Sequence, residues 1–412
     1  MSEQTFGTNR YVRHGRLIVG SVAAVGFLAK MVFAARTRGP ADVFFFWAFA
    51  QHIEKVGPVR IYAHPMPRLP VYNHPPLAGW ILLGLDRIAR LGIEFGTLIR
   101  TPACLADFAA ALLVFEIVRR RRSLRTAVAC GIGVTLSPVL IPASGYHGNT
   151  DSVAVTLALA AAWLLADRRA PVAAGVVAAL SISVKFVPVV ALPVLAVAAW
   201  RGGRREFVRF SAALGAVLLV VWGPVLATVP GALRANVLEY KGGNFRLWGI
   251  VKFAEWLGFS NESIAVLRGP GHFVVVLVCV AAGVWPAWRR PDRAPLAVAI
   301  TLSVLLLLST ASGVQYLAWP VAALFAIGLW EGLAYSVLAG VLASWVYTIQ
   351  KPTRWTYDQQ VLGAVAWAAL LVGVVSGYAA VFRSRERGPA APAPDTATTV
   401  PVPAPSAPLE VR

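Results

Sequence analysis

Asp42 lies just beyond an apolar run from Leu17 to Ala35, at the head of a stretch that sets Phe45, Phe49, Ile53 and Val56 at helical spacing. Gln51, Glu54 and Lys55 fall on the other face, so the stretch predicts an amphipathic helix lying in a membrane interface. A carboxylate at its head can cap the helix, contributing about 1 kcal/mol, or serve as a general base. The two roles are compatible. Further on, Tyr62, His64, Tyr72, Asn73 and His74 precede a Pro75-Pro76 pair. Aromatic, imidazole and amide groups bind sugar hydroxyls, and they also anchor chains at the headgroup level.

A third polar group is the short turn Gly145-Tyr146-His147-Gly148-Asn149-Thr150-Asp151, set between two apolar runs. Helix capping explains Asp151 and Asn149. It leaves Tyr146 and His147 without a structural reason. Asp107 and Lys185 interrupt apolar runs, where an unpaired charge costs about 2.5 to 3.5 kcal/mol, so a hydrated cavity or a partner is implied. Lys185 is placed to hold a phosphate or to snorkel to the interface, and Asp107 to pair within a bundle. Late in the chain Gly313-Val314-Gln315-Tyr316, followed by Trp319-Pro320, reads by itself as an aromatic-belt turn without function.

The elements that position these groups must be membrane helices. The 412 residues are 58% hydrophobic and 14% charged, too little charge to coat a soluble protein of this length. The net charge of +19 does not describe a nucleic-acid face, because the Arg and Lys residues punctuate apolar segments. Cys104, Cys130 and Cys279 fall in apolar runs without CxxC spacing, which predicts no disulfide and no cysteine metal site. No other metal ligand set stands out, and no cofactor is expected.

Leu17 to Ala35 reads as an uncleaved anchor, since Lys30 interrupts it and no cleavage site follows. Apolar segments follow over 98–118, 127–143, 153–166, 172–200, 210–229, 273–288, 295–311, 317–330, 333–349 and 361–382. Basic clusters at Arg119 to Arg125, Arg168-Arg169, Arg201 to Arg209, Arg289 to Arg293 and Arg383 to Arg387 orient them, each placed on the cytoplasmic side. Two consequences follow. Residues 77–91, carrying Asp86, Arg87 and Arg90, form a partly embedded helix in the first outer loop. Residues 172–200, flanked by basic clusters at both ends, go in and return with a break near Lys185 and Pro188. The expected architecture is all-α and polytopic, with about twelve transmembrane helices between a cytoplasmic N-terminus (1–16) and a disordered Pro- and Ala-rich cytoplasmic tail (384–412). The transmembrane domain, 17–383, carries outer loops at 36–96 and 230–271.

The order of these elements resembles the GT-C superfamily of membrane glycosyltransferases. It comprises Asp42 with Trp47, a Tyr-x-His-Pro-Pro-Leu element from Tyr72 to Leu77, the Gly-Tyr-His-Gly-Asn turn, a Val-Lys-Phe-x-Pro hairpin and a Val-Gln-Tyr-x-x-Trp-Pro turn. The likeness spans roughly residues 20 to 325 and is greatest to dolichyl- and polyprenyl-phosphate-sugar-dependent glucosyl- and mannosyltransferases. It implies Asp42 as catalytic base and Tyr72, His74, Tyr146, His147, Asn149, Lys185, Arg246 and Gln315 as substrate-binding residues. The glucosyltransferases carry a longer Asp-His-Gly-His-Phe-Gln-Tyr-Asn turn. Here Ser144 replaces its leading Asp and Asn149 stands for its second His, which bears on the acceptor.

The expected activity is inverting transfer of a hexose from a polyprenyl-phosphate-linked donor to a lipid-linked or envelope glycan acceptor, on the extracytoplasmic side of the cell membrane. A polyprenyl phosphate leaves readily, so one base suffices where a glycosidase needs two carboxylates. Lys185, with Arg246 or Arg354, would stabilise the departing phosphate. A nucleotide-sugar donor does not fit a chain lacking a DxD pair and a Gly-rich phosphate loop. The alternatives are a transporter or flippase of a lipid-linked saccharide, which would place its polar site near the midplane, and a noncatalytic subunit. The Ala, Val and Arg bias points to a bacterium of high genomic GC and hence a polyprenyl carrier.

Overall fold

The computed structural model describes residues 3–240, 245–348 and 354–383, with side chains from residue 10 onward. Every regular element among them is helical. The chain opens with α1 (Glu3–Arg36), followed by α2 (Ala41–Arg60) and α3 (Pro76–Ala89). Then come α4 (Phe95–Arg119), α5 (Leu124–Thr135), a π-helical turn Ile141–His147, and α6 (Asp151–Ala166). The hairpin α7 (Pro171–Val184) and α8 (Leu192–Gly202) follows, joined by a 3-10 turn Val187–Ala191. Next are α9 (Arg204–Thr228) and the short α10 (Pro230–Leu233). The segment after it adds α11 (Gly249–Trp256) and α12 (Asn261–Arg268). The bundle closes with α13 (Pro270–Arg289), α14 (Ala294–Leu307), a 3-10 turn Val314–Ala318, α15 (Val321–Ile327), α16 (Leu329–Tyr347) and α17 (Tyr357–Phe382).

Six helices, α1 from Arg10, α4, α9, α13, α16 and α17, are long and apolar enough to cross a bilayer unaided. The shorter apolar helices α5 to α8 and α15, together with the buried α14, complete a bundle compatible with twelve crossings. The tail from residue 384 lies outside the described residues.

Local chemistry sets the helix ends. Thr356 accepts from Gln359 N while the Gln359 side chain accepts from Thr356 N, a reciprocal cap that starts α17. Ser123 caps α5 by accepting from Thr126 N at 3.2 Å. The break expected at Lys185 is present: Lys185 is extended (φ −148°, ψ 136°) between α7 and the 3-10 turn. At 1.5 Å per residue α7 reaches only about 21 Å, short of a core of roughly 30 Å. Its end is therefore walled by neighbouring helices rather than lipid.

Inside the bundle, Lys30 of α1 meets Asp107 of α4 at 2.6 Å, both nearly fully buried. Asp107 thus finds its partner within the bundle, and the partner is the lysine that interrupts the first anchor. The hydroxyls of Ser144 and Ser152 pair with each other at 3.2 Å, and both act on that carboxylate. A second core, separate from the main bundle, packs α2 and α3 against the end of α9 through Phe46, Phe49, Ile53, Tyr72, Leu82 and Trp222. It corrects the facing of α2. Val43, Phe46, Phe49, Ala50 and Ile53 are buried, Phe45 and Val56 only pack at the margin, and Phe44 and Trp47 point outward. The inward stripe is rotated from the expected one because α2 is covered by α3, α4 and α9 rather than lying alone on an interface.

Candidate active site

Asp42 sits in the first turn of α2, but it does not cap it. Pro40 occupies the N-cap position and no side chain bonds the first amides. The carboxylate instead turns to the π-helical turn, where Oδ2 lies 2.9 Å from Nε2 of His147. An ionised carboxylate only accepts, so Nε2–H donates. Nδ1 of the same ring lies 2.6 Å from the Tyr347 hydroxyl at the end of α16, which donates to it when the ring is neutral. Asp42, His147 and Tyr347 form one chain of hydrogen bonds drawn from three distant segments. The Asp42 side chain remains 44% exposed while that of His147 is 6% exposed. Oδ2 faces the protein, and no hydrogen bond engages Oδ1 among the described residues.

Burial alone would raise the Asp42 pKa. The hydrogen bond from His147 and the positive charge of Lys185 more than offset it, and the carboxyl lies below its ordinary value. It is ionised at neutral pH.

Two segments carry the pair, and one buried side chain touches both. Arg100, fully buried in α4, donates through Nη1 to the carbonyls of Ala34 and Thr37, the end of α1 and the linker to α2. Gly39 and Gly148, both at positive φ (+75° and +74°), pack against the same guanidinium and its stem. A Cβ at 39 would stand 2.1 Å from Arg100 Nη2, and one at 148 would stand 2.6 Å from Arg100 Cγ. The π-helical turn ends at Gly148, whose N–H bonds the Ala143 carbonyl, and this places His147 on the Asp42 side. Such wide turns recur at functional sites.

Lys185 Nζ stands 3.7 Å from Asp151 Oδ1, with its side chain 21% exposed, and its charge reaches both Asp42 and His74. Asn149 is committed to the start of α6: its amide donates to Asp151 Oδ2 and its Oδ1 accepts from Asp151 N. His74 is buried among Phe46, Phe49 and Tyr72. Burial and then Lys185 hold its pKa well below the usual value, against the pull of Asp42, so it is neutral.

Tyr146 rests edge-on against Tyr347, with ring centres 5.4 Å apart, beside the Asp42–His147 pair. Gln315 lies on the 3-10 turn that packs against the π-helical turn, its amide folded back towards Gly313. Its neighbour Tyr316 packs its ring against Trp319, with ring centres 4.4 Å apart.

Two expected residues are placed elsewhere. Tyr72 has no exposed surface; its ring packs against Phe49 and Tyr62, and its hydroxyl has no hydrogen-bond partner among the described residues. Arg246 donates to Asn261 at 2.8 Å and lies 3.9 Å from Glu255, contacts with the segment that carries α11 and α12. The sequence reading missed Tyr347 and Arg100. Tyr347 looks like any interfacial tyrosine, and Arg100 looks like the basic flank of an apolar helix. Among the described residues no three His, Cys, Asp or Glu side chains gather as a metal ligand set.

Residues 73–227 match the family model described as dolichyl-phosphate-mannose-protein mannosyltransferase. No curated protein matches the chain. Among solved structures, that of ArnT from Cupriavidus metallidurans bound to undecaprenyl phosphate aligns with a TM-score of 0.51 and 16% identity, over 89% of this chain and 77% of that one. The same protein in its apo state gives 0.49 and 15%, over 92% and 78%. The Archaeoglobus fulgidus oligosaccharyltransferase tethered to an acceptor peptide gives 0.43 and 14%, over 88% of this chain and 55% of that one. The fold likeness to ligand-bound ArnT and the family match over residues 73–227 agree with the motif order, and the chain resembles the GT-C superfamily of polytopic membrane glycosyltransferases.

Proposed function

We propose that the chain is an inverting glycosyltransferase moving a hexose from a polyprenyl-phosphate-linked donor to a lipid-linked or envelope glycan acceptor, with its active site extracytoplasmic and both termini cytoplasmic. The observation that carries this reading is the Asp42–His147 pair, an ionised, half-exposed carboxylate oriented by a buried imidazole, with the Lys185 ammonium nearby. Binding of undecaprenyl phosphate by ArnT, a protein of like fold, supports a polyprenyl-phosphate lipid as partner.

The chemistry follows from the groups present. The acceptor hydroxyl donates to Asp42 Oδ1 and attacks the anomeric carbon opposite the phosphate. As the new C–O bond forms the hydroxyl becomes acidic, and its proton passes to Asp42. The bond between the anomeric carbon and the phosphate oxygen breaks, the electron pair leaves with the polyprenyl phosphate, and Lys185 faces the developing charge. A single displacement inverts the anomeric centre. His147 keeps the carboxylate aimed, and Tyr347 keeps His147 aimed. In this reading Tyr146 and Gln315 would meet sugar hydroxyls, whereas His74, buried among Phe46, Phe49 and Tyr72, would do so only by the surrounding rings moving apart. Arg246 would serve the phosphate only by leaving Asn261. The transporter reading places its polar site near the midplane, whereas Asp42 and His147 stand at helix ends.

The test is transfer of radiolabelled hexose from synthetic polyprenyl-phosphate-hexose to membrane glycolipids, comparing wild type with Asp42→Asn in the same nanodiscs. Loss of transfer in a well-folded variant supports the assignment. Undiminished transfer removes Asp42 as base, and no transfer by wild type with any donor moves the chain to the transporter class.

A further inference from the structure

A groove of about 640 Å³ runs between α1, α4 and α6, far from Asp42. Its floor on α1 is Leu17, Gly20, Ser21 and Ala24, one helical stripe of mostly small residues, and its wall on α4 is Phe108 and Leu112. At 1.5 Å per residue, Arg16 at its mouth lies about 27 Å along α1 from Ala34, beside the active-site linker. The groove is therefore at the opposite, arginine-rich end of the bundle.

The mouth is built from charge. Arg16 donates to Glu116 at 2.6 Å, and Arg119 takes the other oxygen of the same carboxylate. Arg168 has no carboxylate within ion-pairing distance among the described residues and lies 5.4 Å over the Trp163 ring, which lines the groove. Two guanidinium groups thus share one carboxylate, and the third, that of Arg168, has none. Removed from that end, the groove is apolar but for the Ser21 hydroxyl, and Gly20 opens it: a Cβ there would meet only Leu112 Cδ2, at 3.9 Å.

An apolar channel with a cationic mouth, set in a bilayer, is complementary to one acyl chain and a negatively charged headgroup. We propose that this groove holds one anionic diacyl phospholipid, with its phosphate at Arg168 and Arg16 and a chain along Gly20, Ser21 and Ala24. The site is separate from the transfer site and does not depend on the proposed reaction. Arg16 stays on Glu116 and reaches the phosphate with its remaining N–H groups, while Arg168 supplies the uncompensated charge.

Native mass spectrometry of the detergent-purified full chain, titrated with phosphatidylglycerol or phosphatidylcholine of equal chain length, reads this directly. One phosphatidylglycerol should be retained in preference to phosphatidylcholine. Retention should fall about fivefold in Arg168→Gln, the effect of one basic contact. It should fall comparably in Gly20→Leu, which fills the channel and keeps the charge, while Arg289→Gln in another basic cluster should leave it unchanged. The two groove variants act at opposite ends, so a folding defect in one, seen by melting temperature, leaves the other to decide. Equal retention of both lipids, indifference to both groove variants, or equal loss in Arg289→Gln would overturn the proposal. So would selective displacement of phosphatidylglycerol by polyprenyl phosphate, which would give the groove to the donor lipid.

Discussion

Arg100 donates to the carbonyl of Ala34 at 2.5 Å, so a buried cation from α4 closes the carbonyl end of α1, eight residues before Asp42. A cation at that end also opposes the negative pole of the helix. Because the same side chain touches Gly39 and Gly148, it fixes the two strips of backbone that carry Asp42 and His147.

Arg100→Gln should therefore lower transfer through kcat, by about tenfold or more if one charge-assisted hydrogen bond is lost, with KM for the donor little changed. Melting in detergent should also fall, since the α1 carbonyls lose their partner at about 1 to 3 kcal/mol. Steady-state kinetics on the folded fraction separates the two effects.

Along the hydrogen-bonded chain the losses should be graded. Asp42→Asn keeps a side-chain acceptor for His147 but cannot take a proton, and should cost about 10² to 10⁴ in kcat. His147→Gln should cost less, and Tyr347→Phe least, near tenfold for one hydrogen bond. A Tyr347→Phe variant as inactive as Asp42→Asn would mean that the tyrosine, not the carboxylate, handles the proton.

The pH profile follows from the lowered Asp42 pKa. A depressed carboxylate remains charged to below its ordinary value of about 4. Transfer should stay flat from neutrality to about pH 5 and lose its base only as pH falls through the folded value. The linked stability has the same sign: it is present above the unfolded pKa and is lost as pH drops through the folded one. An acid limb near pH 7, measured with protein that remains folded, would assign the titration to another group.

Lys30 and Asp107 offer a test confined to stability. Lys30→Met or Asp107→Leu alone leaves a buried charge unpaired and should cost about 3 to 5 kcal/mol, whereas the double substitution should recover most of it. Thermal melts of the four proteins in one detergent read the coupling directly.

Much of the frame was legible because charge in a membrane is expensive. The spacing of the arginine clusters required the return at Lys185, where the structure places the break. Lys30 and Asp107 announced themselves as intrusions, although nothing in the sequence said that they meet. What stayed hidden depends on three-dimensional neighbours. His147 and Tyr347 are 200 positions apart and joined by a single hydrogen bond. Tyr72 was read as a sugar contact because a tyrosine between polar residues gives no sign of which side is covered. The α2 stripe was misread because helical spacing gives a period but cannot count how many partners cover it, and the cap expected from Asp42 was pre-empted by Pro40.

The π-helical turn from Ile141 to His147 makes the length of that segment part of the site. A wide turn stores one residue more than an α-turn. Deleting a single residue between Pro142 and Tyr146 would let it relax to the ordinary pitch and swing His147 by about 100° around the axis, away from Asp42. The segment should then accept side-chain replacements more readily than changes in length, and an insertion or deletion there would disable the site while sparing the surrounding bundle.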